Sequence, residues 1–262
     1  MRKKKWGQNF LINQNIVQSI IKAAKVRCGD SILEIGPGSG ILTEALLGKM
    51  ASVKSVEIDP KWCKYLNDRF KKEKKFTIIE TDVMKIRSNA LSKLVPKPSK
   101  LVANLPYNIV SPLLVKILPI RKTWVSLTLM VQKEVAQRIC ATPNSGKDFG
   151  ALSLVGELGF NREIISIIEP DNFRPKPKVE SALINLHPKD SELNTEGEEL
   201  FLKWSQILFL QRRKTLANGI KNHFPNWYSK CEDSIKNNFG MRRPENLEFN
   251  EWIELFKSYL KI

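Results

Sequence analysis

Five short apolar runs set the frame for this chain: SILEI (31–35), VKSVEI (53–58), FTIIET (76–81), KLVANL (100–105) and WVSLTLMV (124–131). They show little of the apolar–polar alternation that marks a strand with one wet face, and helix-length segments of mixed charge, such as Pro60 to Lys72, lie between them. Strands buried on both faces and joined by helical crossovers form a parallel sheet, so the spacing predicts a doubly wound α/β domain over residues 1–186. Ahead of the first run, Ile16, Val17, Ile20, Ile21 and Ala24 recur at helical spacing before Gly29-Asp30. After residue 131 the pattern becomes a helix (Gln132 to Cys140), a glycine-containing loop, an apolar segment to Ile168, and FRPKPKVESALINLH. That ending fits an antiparallel hairpin on the sheet.

The polar stretch HPKDSELNTEGEEL reads as a linker. Beyond it Leu200, Phe201, Trp204, Ile207 and Leu208 keep a helical period, and Trp227, Phe239, Phe249, Trp252, Leu255 and Phe256 supply apolar faces for shorter helices. Residues 187–262 are therefore expected to form a small all-helical domain. Charge divides along the same line. The chain carries 43 Lys/Arg against 27 Asp/Glu, and 31 of the bases with 16 of the acids fall before residue 187. So strong a positive excess points to a polyanionic partner and locates its main surface on the first domain.

The same inventory excludes other chemistries. Cys28, Cys63, Cys140 and Cys231 are far apart, and His187 and His223 are the only histidines, so neither a zinc site nor a disulfide framework is expected. The basic start MRKKKWGQNFLINQN is broken by Asn13, Gln14 and Asn15 before an export segment develops. The longest uncharged stretch, Leu101 to Val115, holds two prolines and two asparagines and falls short of the roughly 18 apolar residues of a membrane span. The expectation is a monomeric cytoplasmic protein without metal.

Gly36-Pro37-Gly38-Ser39-Gly40 follows the first run directly, and a helix is expected from about Leu42. Glycines at a strand-to-helix turn let a ligand approach the main chain. A pyrophosphate-binding fingerprint, G-x-G-x-x-G/A, requires a small residue where Ile41 stands. Glu57 ends the second strand, 21 residues beyond Gly36, where a carboxylate accepts both hydrogen bonds of a ribose diol, and Asp82 ends the third, where one suits an adenine amino group. A nucleoside without phosphates matches this set, and the cation S-adenosylmethionine matches it better than a dinucleotide.

The fourth strand ends in Asn104-Leu105-Pro106-Tyr107. The exocyclic amine of a nucleobase is a poor nucleophile, because its lone pair is delocalised into the ring. The Asn104 side-chain oxygen and the Leu105 carbonyl can hold both amine hydrogens and favour a tetrahedral nitrogen aimed at a methyl group. Pro106 fixes the turn, and Tyr107 offers a face on which a flipped base stacks. Methyl transfer needs alignment and base activation and no His or Cys nucleophile. The fold class expected is a Rossmann-like, S-adenosylmethionine-dependent methyltransferase domain with a small C-terminal all-helical domain.

In order along the chain, GQNFL (Gly7 to Leu11), LEIGPGSG, VEIDP, TDVMK, NLPYNI, VQKEVAQRI, FRPKPKVESA and QRRKTL resemble the ribosomal RNA adenine N6-dimethyltransferases. The likeness runs from residue 3 to about 248 and is strongest to the small-subunit (16S) branch linked to kasugamycin sensitivity. It implies dimethylation of two adjacent adenosines in a hairpin loop near the 3′ end of small-subunit rRNA, on the small ribosomal subunit, late in ribosome biogenesis. It further implies that Asn9 and Leu11 close over the cofactor, that Gly36 contacts it, and that Asn104 touches both cofactor and target amine. Phe173 of the F-x-P-x-P motif is implied to face the target base opposite Tyr107.

Arg174, Lys176 and Lys178 flank that aromatic and are candidates for holding phosphates, as are Arg2 to Lys5, whereas Lys71 to Lys75 reads as a solvated face. Gln211-Arg212-Arg213-Lys214 is expected on a C-terminal helix, making local RNA contacts or packing between domains. Three rivals stand beside the small-subunit enzyme. The resistance-type methylase of large-subunit rRNA usually has Ile where Leu105 stands and Ser where Gly7 stands. The others are a non-catalytic assembly or transcription factor of the same fold, and a DNA adenine methylase.

Overall fold

A computed structural model describes residues 9–261. The basic run Arg2 to Lys5 and Gly7 lie outside the described residues. In chain order the elements are β1 (Phe10–Leu11), α1 (Gln14–Ala23), β2 (Ser31–Ile35), α2 (Ile41–Gly48), β3 (Ser52–Glu57), α3 (Pro60–Arg69), β4 (Phe76–Glu80), α4 (Ser88–Leu91), β5 (Ser99–Asn104), α5 (Val110–Ile117), β6 (Trp124–Gln132), α6 (Lys133–Cys140), α7 (Ala151–Gly159), β7 (Phe160–Ile168), β8 (Phe173–Arg174), β9 (Ser181–Pro188), α8 (Thr195–Phe209), α9 (Leu216–His223), α10 (Pro225–Phe239) and α11 (Phe249–Leu260).

The chain divides into two compact units, one of residues 1–136 with 159–189 and one of 137–158 with 190–262. The boundary drawn from sequence at 186/187 misses the excursion of 137–158 into the helical unit. Two contacts hold that excursion there: the rings of Phe149 and Phe209 meet at 6.2 Å, and Arg212 Nη2 donates to the Gly146 carbonyl at 3.0 Å.

In the first unit seven strands form one sheet in the order β4-β3-β2-β5-β6-β9-β7. The strands β2 to β6 are parallel to one another, and β9 runs antiparallel between β6 and β7, so the expected terminal hairpin closes that edge. The strand order reverses between β2 and β5, and a doubly wound sheet opens a crevice at such a point.

Local chemistry explains the helices that frame this crevice. Asn13 Oδ1 caps α1 through the Asn15 N–H, and Asp59 Oδ1 caps α3 through Lys61 N–H with Pro60 in the first turn. Val17, Ile20 and Ile21 of α1 are buried against Ile32, Val53, Val102 and Leu183 of the sheet. Each such side chain, fully buried, contributes about 1.5–3 kcal/mol. A two-stranded ribbon, which no periodicity announced, pairs Phe10 with Arg174 and Leu11 with Phe173. Ile12 N–H donates to the Asn172 carbonyl (2.9 Å) and Asn13 Nδ2 to Asn172 Oδ1 (2.7 Å), which extends the clasp.

In the helical unit Trp204 of α8 is the centre of an aromatic core with Trp252 (5.7 Å, edge to face), Phe256 (5.4 Å) and Trp227 (5.9 Å). Helix α8 begins at Thr195, capped by Asn194, so the last residues of the expected linker are helical. Among the described residues no helix is long and apolar enough to cross a membrane, and no group of three or more His, Cys, Asp or Glu is arranged to hold a metal.

Candidate active site

A cavity of about 740 Å³ opens at the carboxyl ends of β2, β3, β4 and β5, and among the described residues those that line it belong to the first unit. Asn9, Leu11, Gly36, Glu57, Asp82, Asn104, Leu105 and Tyr107, eight of the nine residues expected at the cofactor and the reacting centre, are among them.

The glycine loop forms the floor. Gly36 has φ +70°, its N–H donates to the Val56 carbonyl at 2.9 Å, and a Cβ there would stand 3.6 Å from Pro106 Cδ. Gly38, at φ +52°, lies under the Phe10 ring, and a Cβ would come within 2.9 Å of it. A side chain at Gly38 is thus excluded by backbone angle and by the ribbon that crosses the loop. The Phe10 ring is steadied in turn by Trp62, 5.1 Å away.

Glu57 is 2% exposed, and its carboxylate is held by three backbone donors: Ile58 N and Asp59 N to Oε1, each at 2.9 Å, and Gly38 N to Oε2 at 3.2 Å. Burial raises its carboxyl above the ordinary glutamate range, while those three bonds oppose the rise. Asp82 stands two residues past β4, where its Oδ1 accepts from Met84 N–H at 2.8 Å and so fixes the carboxylate at the cavity wall. Asn104, half-buried at the end of β5, donates from Nδ2 to the Asn9 carbonyl at 3.2 Å. One N–H of the amide is thereby engaged, and Oδ1 is its acceptor atom. The Tyr107 hydroxyl is 2.9 Å from Ser181 Oγ, and its ring lines the rim.

Phe173 is not brought to the cavity. Its ring is 0% exposed and belongs to the core with Leu11, Val17, Ile168 and Leu183. The resemblance implies that it faces the target base across from Tyr107; the structure places it in this core, in register with Leu11. The reading of Gln211 to Lys214 as helical is corrected: they form the turn between α8 and α9, where Lys214 N–H donates to the Gln211 carbonyl. Arg212 there pairs with Glu245 (2.6 Å), and Lys176 pairs with Asp171 (2.6 Å). Arg174, Lys178 and Arg213 are exposed, as are Lys71 to Lys75.

Sequence reasoning passed over Glu34, a cavity residue 1% exposed in the middle of β2. Its Oε2 accepts from Thr43 Oγ (2.7 Å) and Ser55 Oγ (2.8 Å), and its Oε1 is buried with no partner. A carboxylate inside an otherwise apolar strand was the available signal, since such residues are almost never buried without a reason.

A buried carboxylate at the end of β3, a second just past β4, a glycine turn that leaves the main chain open, and the Asn104 amide at the end of β5 meet in one cavity, the arrangement expected of an S-adenosylmethionine-dependent methyltransferase. The residues fit that cofactor, whose cationic sulfonium suits a cavity walled by the carboxylates of Glu57 and Asp82. Comparison with known proteins narrows the class. The family model described as "Ribosomal RNA adenine dimethylase" matches residues 1–259, and the chain belongs to that family.

Among relatives, "Ribosomal RNA small subunit methyltransferase A" of Clostridium botulinum (strain Loch Maree / Type A3) is 37% identical over 96% of this chain and 92% of its own. The protein of the same name from Acaryochloris marina is 36% identical over 98% and 96%. A dimethyladenosine transferase from Plasmodium falciparum superposes with a TM-score of 0.78 at 28% identity, covering 96% of this chain and 98% of that one. The 23S rRNA methyltransferase ErmE shares the fold, with a TM-score of 0.69 at 23% identity over 95% and 99%.

Glu57→Gln tests the cofactor assignment. The amide cannot accept from all three backbone donors at once, because one of its two oxygens has become an N–H donor. Loss of one charge-assisted acceptor costs about 1.5–3 kcal/mol, so affinity for S-adenosylhomocysteine falls roughly 10- to 100-fold by calorimetric titration. Unchanged affinity would remove Glu57 from the site.

Proposed function

We propose that the chain transfers methyl groups from S-adenosylmethionine to N6 of two adjacent adenosines in a hairpin loop near the 3′ end of small-subunit (16S) rRNA, two to each base. It acts on the small ribosomal subunit late in biogenesis, in the cytoplasm, as a single chain. One observation carries this reading: Asn104 and Tyr107 share a cavity with Glu57 and Asp82, so an acceptor for an amine and a face for a base stand beside a nucleoside-binding wall. The small-subunit names of the curated relatives support the choice of RNA, and so does Leu105 where the resistance-type motif has Ile.

When bound, S-adenosylmethionine supplies an electrophilic methyl group, and the chain supplies alignment. Glu57 holds the ribose and Asp82 the adenine of the cofactor. In the first transfer Asn104 Oδ1 and the Leu105 carbonyl accept the two N–H bonds of the target amine, and in the second one of them accepts the single N–H that remains; each time the lone pair is drawn out of the ring toward the methyl carbon, and the amine proton displaced by the new N–C bond leaves to water. Tyr107 stacks under the base. Positioning of this kind supplies most of what a methyl transfer requires. Phosphates of the RNA meet the exposed Arg174 and Lys178 and the basic surface of the first unit.

The test is transfer of labelled methyl groups to isolated small and large subunits from cells lacking the protein, followed by nucleoside analysis. N6,N6-dimethyladenosine on the small subunit alone is the expected result. Label on the large subunit would assign the resistance-type reaction instead, and no label on either, with cofactor bound, would leave an assembly factor.

A further inference from the structure

We propose that Ser181 is a positioning residue for methyl transfer, its buried hydroxyl pinning the Tyr107 ring as the platform on which the target base comes to rest. The proposal deepens the functional reading above and rests on it.

Tyr107 opens a single 3₁₀ turn, residues 107–109, between β5 and α5. The ring is half-buried at the cavity rim, and nothing in a short turn fixes its two side-chain torsions. Its hydroxyl is tied off, 2.9 Å from Ser181 Oγ. Ser181 is the opposite kind of residue. It is 0% exposed and opens β9, with Cα partners on both sides, Gln132 of β6 and Ile168 of β7. Its neighbour Glu180 is fixed as well: the Glu180 carbonyl accepts from Lys133 N–H at 3.0 Å, and its carboxylate pairs with Lys133 Nζ at 2.6 Å.

A hydroxyl in the run SALINL, whose next five residues are buried and mostly apolar, costs about 1–3 kcal/mol unless it is bonded. Alanine would satisfy the packing. The serine instead spends its hydrogen bond on a residue 74 positions earlier, at the rim of the active cavity. A rigid strand thereby sets the angle of a ring carried on a turn, and the ordering of that ring is accomplished before the base arrives. The phenolic oxygen then serves as a tether and takes no part in proton transfer.

Three variants separate tether from platform: Ser181→Ala, Tyr107→Phe and Tyr107→Ala, assayed on the small subunit with cofactor affinity and melting midpoint measured in parallel. Ser181→Ala and Tyr107→Phe are each expected to lower kcat/KM five- to tenfold with cofactor affinity within twofold, and the double variant to be no worse than either single. Tyr107→Ala, which removes the ring, falls at least a hundredfold. Tyr107→Phe deletes the same bond from the rim side, so the comparison survives poor folding of the buried alanine variant. Ser181→Ala at the wild-type rate, or losses that multiply in the double variant, would overturn the tether. A wild-type chain that methylates no adenosine would overturn the functional reading, and the tether with it.

Discussion

Asn104→Ala lowers methyl transfer to the small subunit by roughly two to three orders of magnitude, the loss typical of one pre-aimed polar group at a reacting centre. The substitution removes the acceptor whose orientation is set by the bond from Nδ2 to the Asn9 carbonyl. The target amine keeps the Leu105 carbonyl and loses its second hold, so its lone pair returns to the ring. Docking of the subunit depends on basic surface elsewhere and changes about twofold or less. Single-turnover rates with pre-bound subunit, set beside the dissociation constant of the same complex, distinguish the two effects. Binding that collapses in step with the rate would show Asn104 to be a docking residue.

Glu34→Gln removes most of a loss of stability that the wild-type protein suffers between about pH 4.5 and pH 7. Burial pushes the Glu34 carboxyl up to about 7 from 4.5, against the bonds from Thr43 and Ser55 and with help from the negative charge of Glu57. In that interval the folded protein holds a proton that the unfolded chain has released. Stability therefore falls as pH rises, by about 3 kcal/mol in total at 1.36 kcal/mol per unit. The raised carboxyl of Glu57 acts with the same sign. Glutamine keeps the shape and does not titrate. Urea midpoints at pH 5 and pH 8 for both proteins give the contribution of Glu34, together with its coupling to Glu57, as the difference between the pair. Parallel losses in the two proteins would contradict the assignment.

The parallel sheet was legible because strands buried on both faces leave unbroken apolar runs, and the carboxylates were legible because such a sheet binds ligands at strand ends. Glu57, Asp82 and Asn104 each stand at that place, and the cavity gathers all three. What escaped notice is long-range or short. The strands β1 and β8 have two residues each, too few for any period, and pair across more than 150 positions, so nothing local signalled that Phe173 would be roofed over. Residues 137–158 begin partway along α6 with no break in composition, and contacts such as Phe149 with Phe209 decide where they belong. Ser181 looked like one more residue of an apolar strand, because only the fold brings Tyr107 to it.

The β1–β8 ribbon also imposes a timetable on the growing polypeptide. Asn13 leaves the site of synthesis 159 residues ahead of Asn172, its hydrogen-bonding mate, and β9 must still emerge before β7 acquires a neighbour in the sheet. A nascent chain that has completed β2, β3, β4 and β5 already owns the glycine floor and both nucleoside carboxylates, yet lacks the clasp that lays Phe10 over Gly38 and sets the Asn104 amide. Competence is thus postponed until nearly the whole first unit exists.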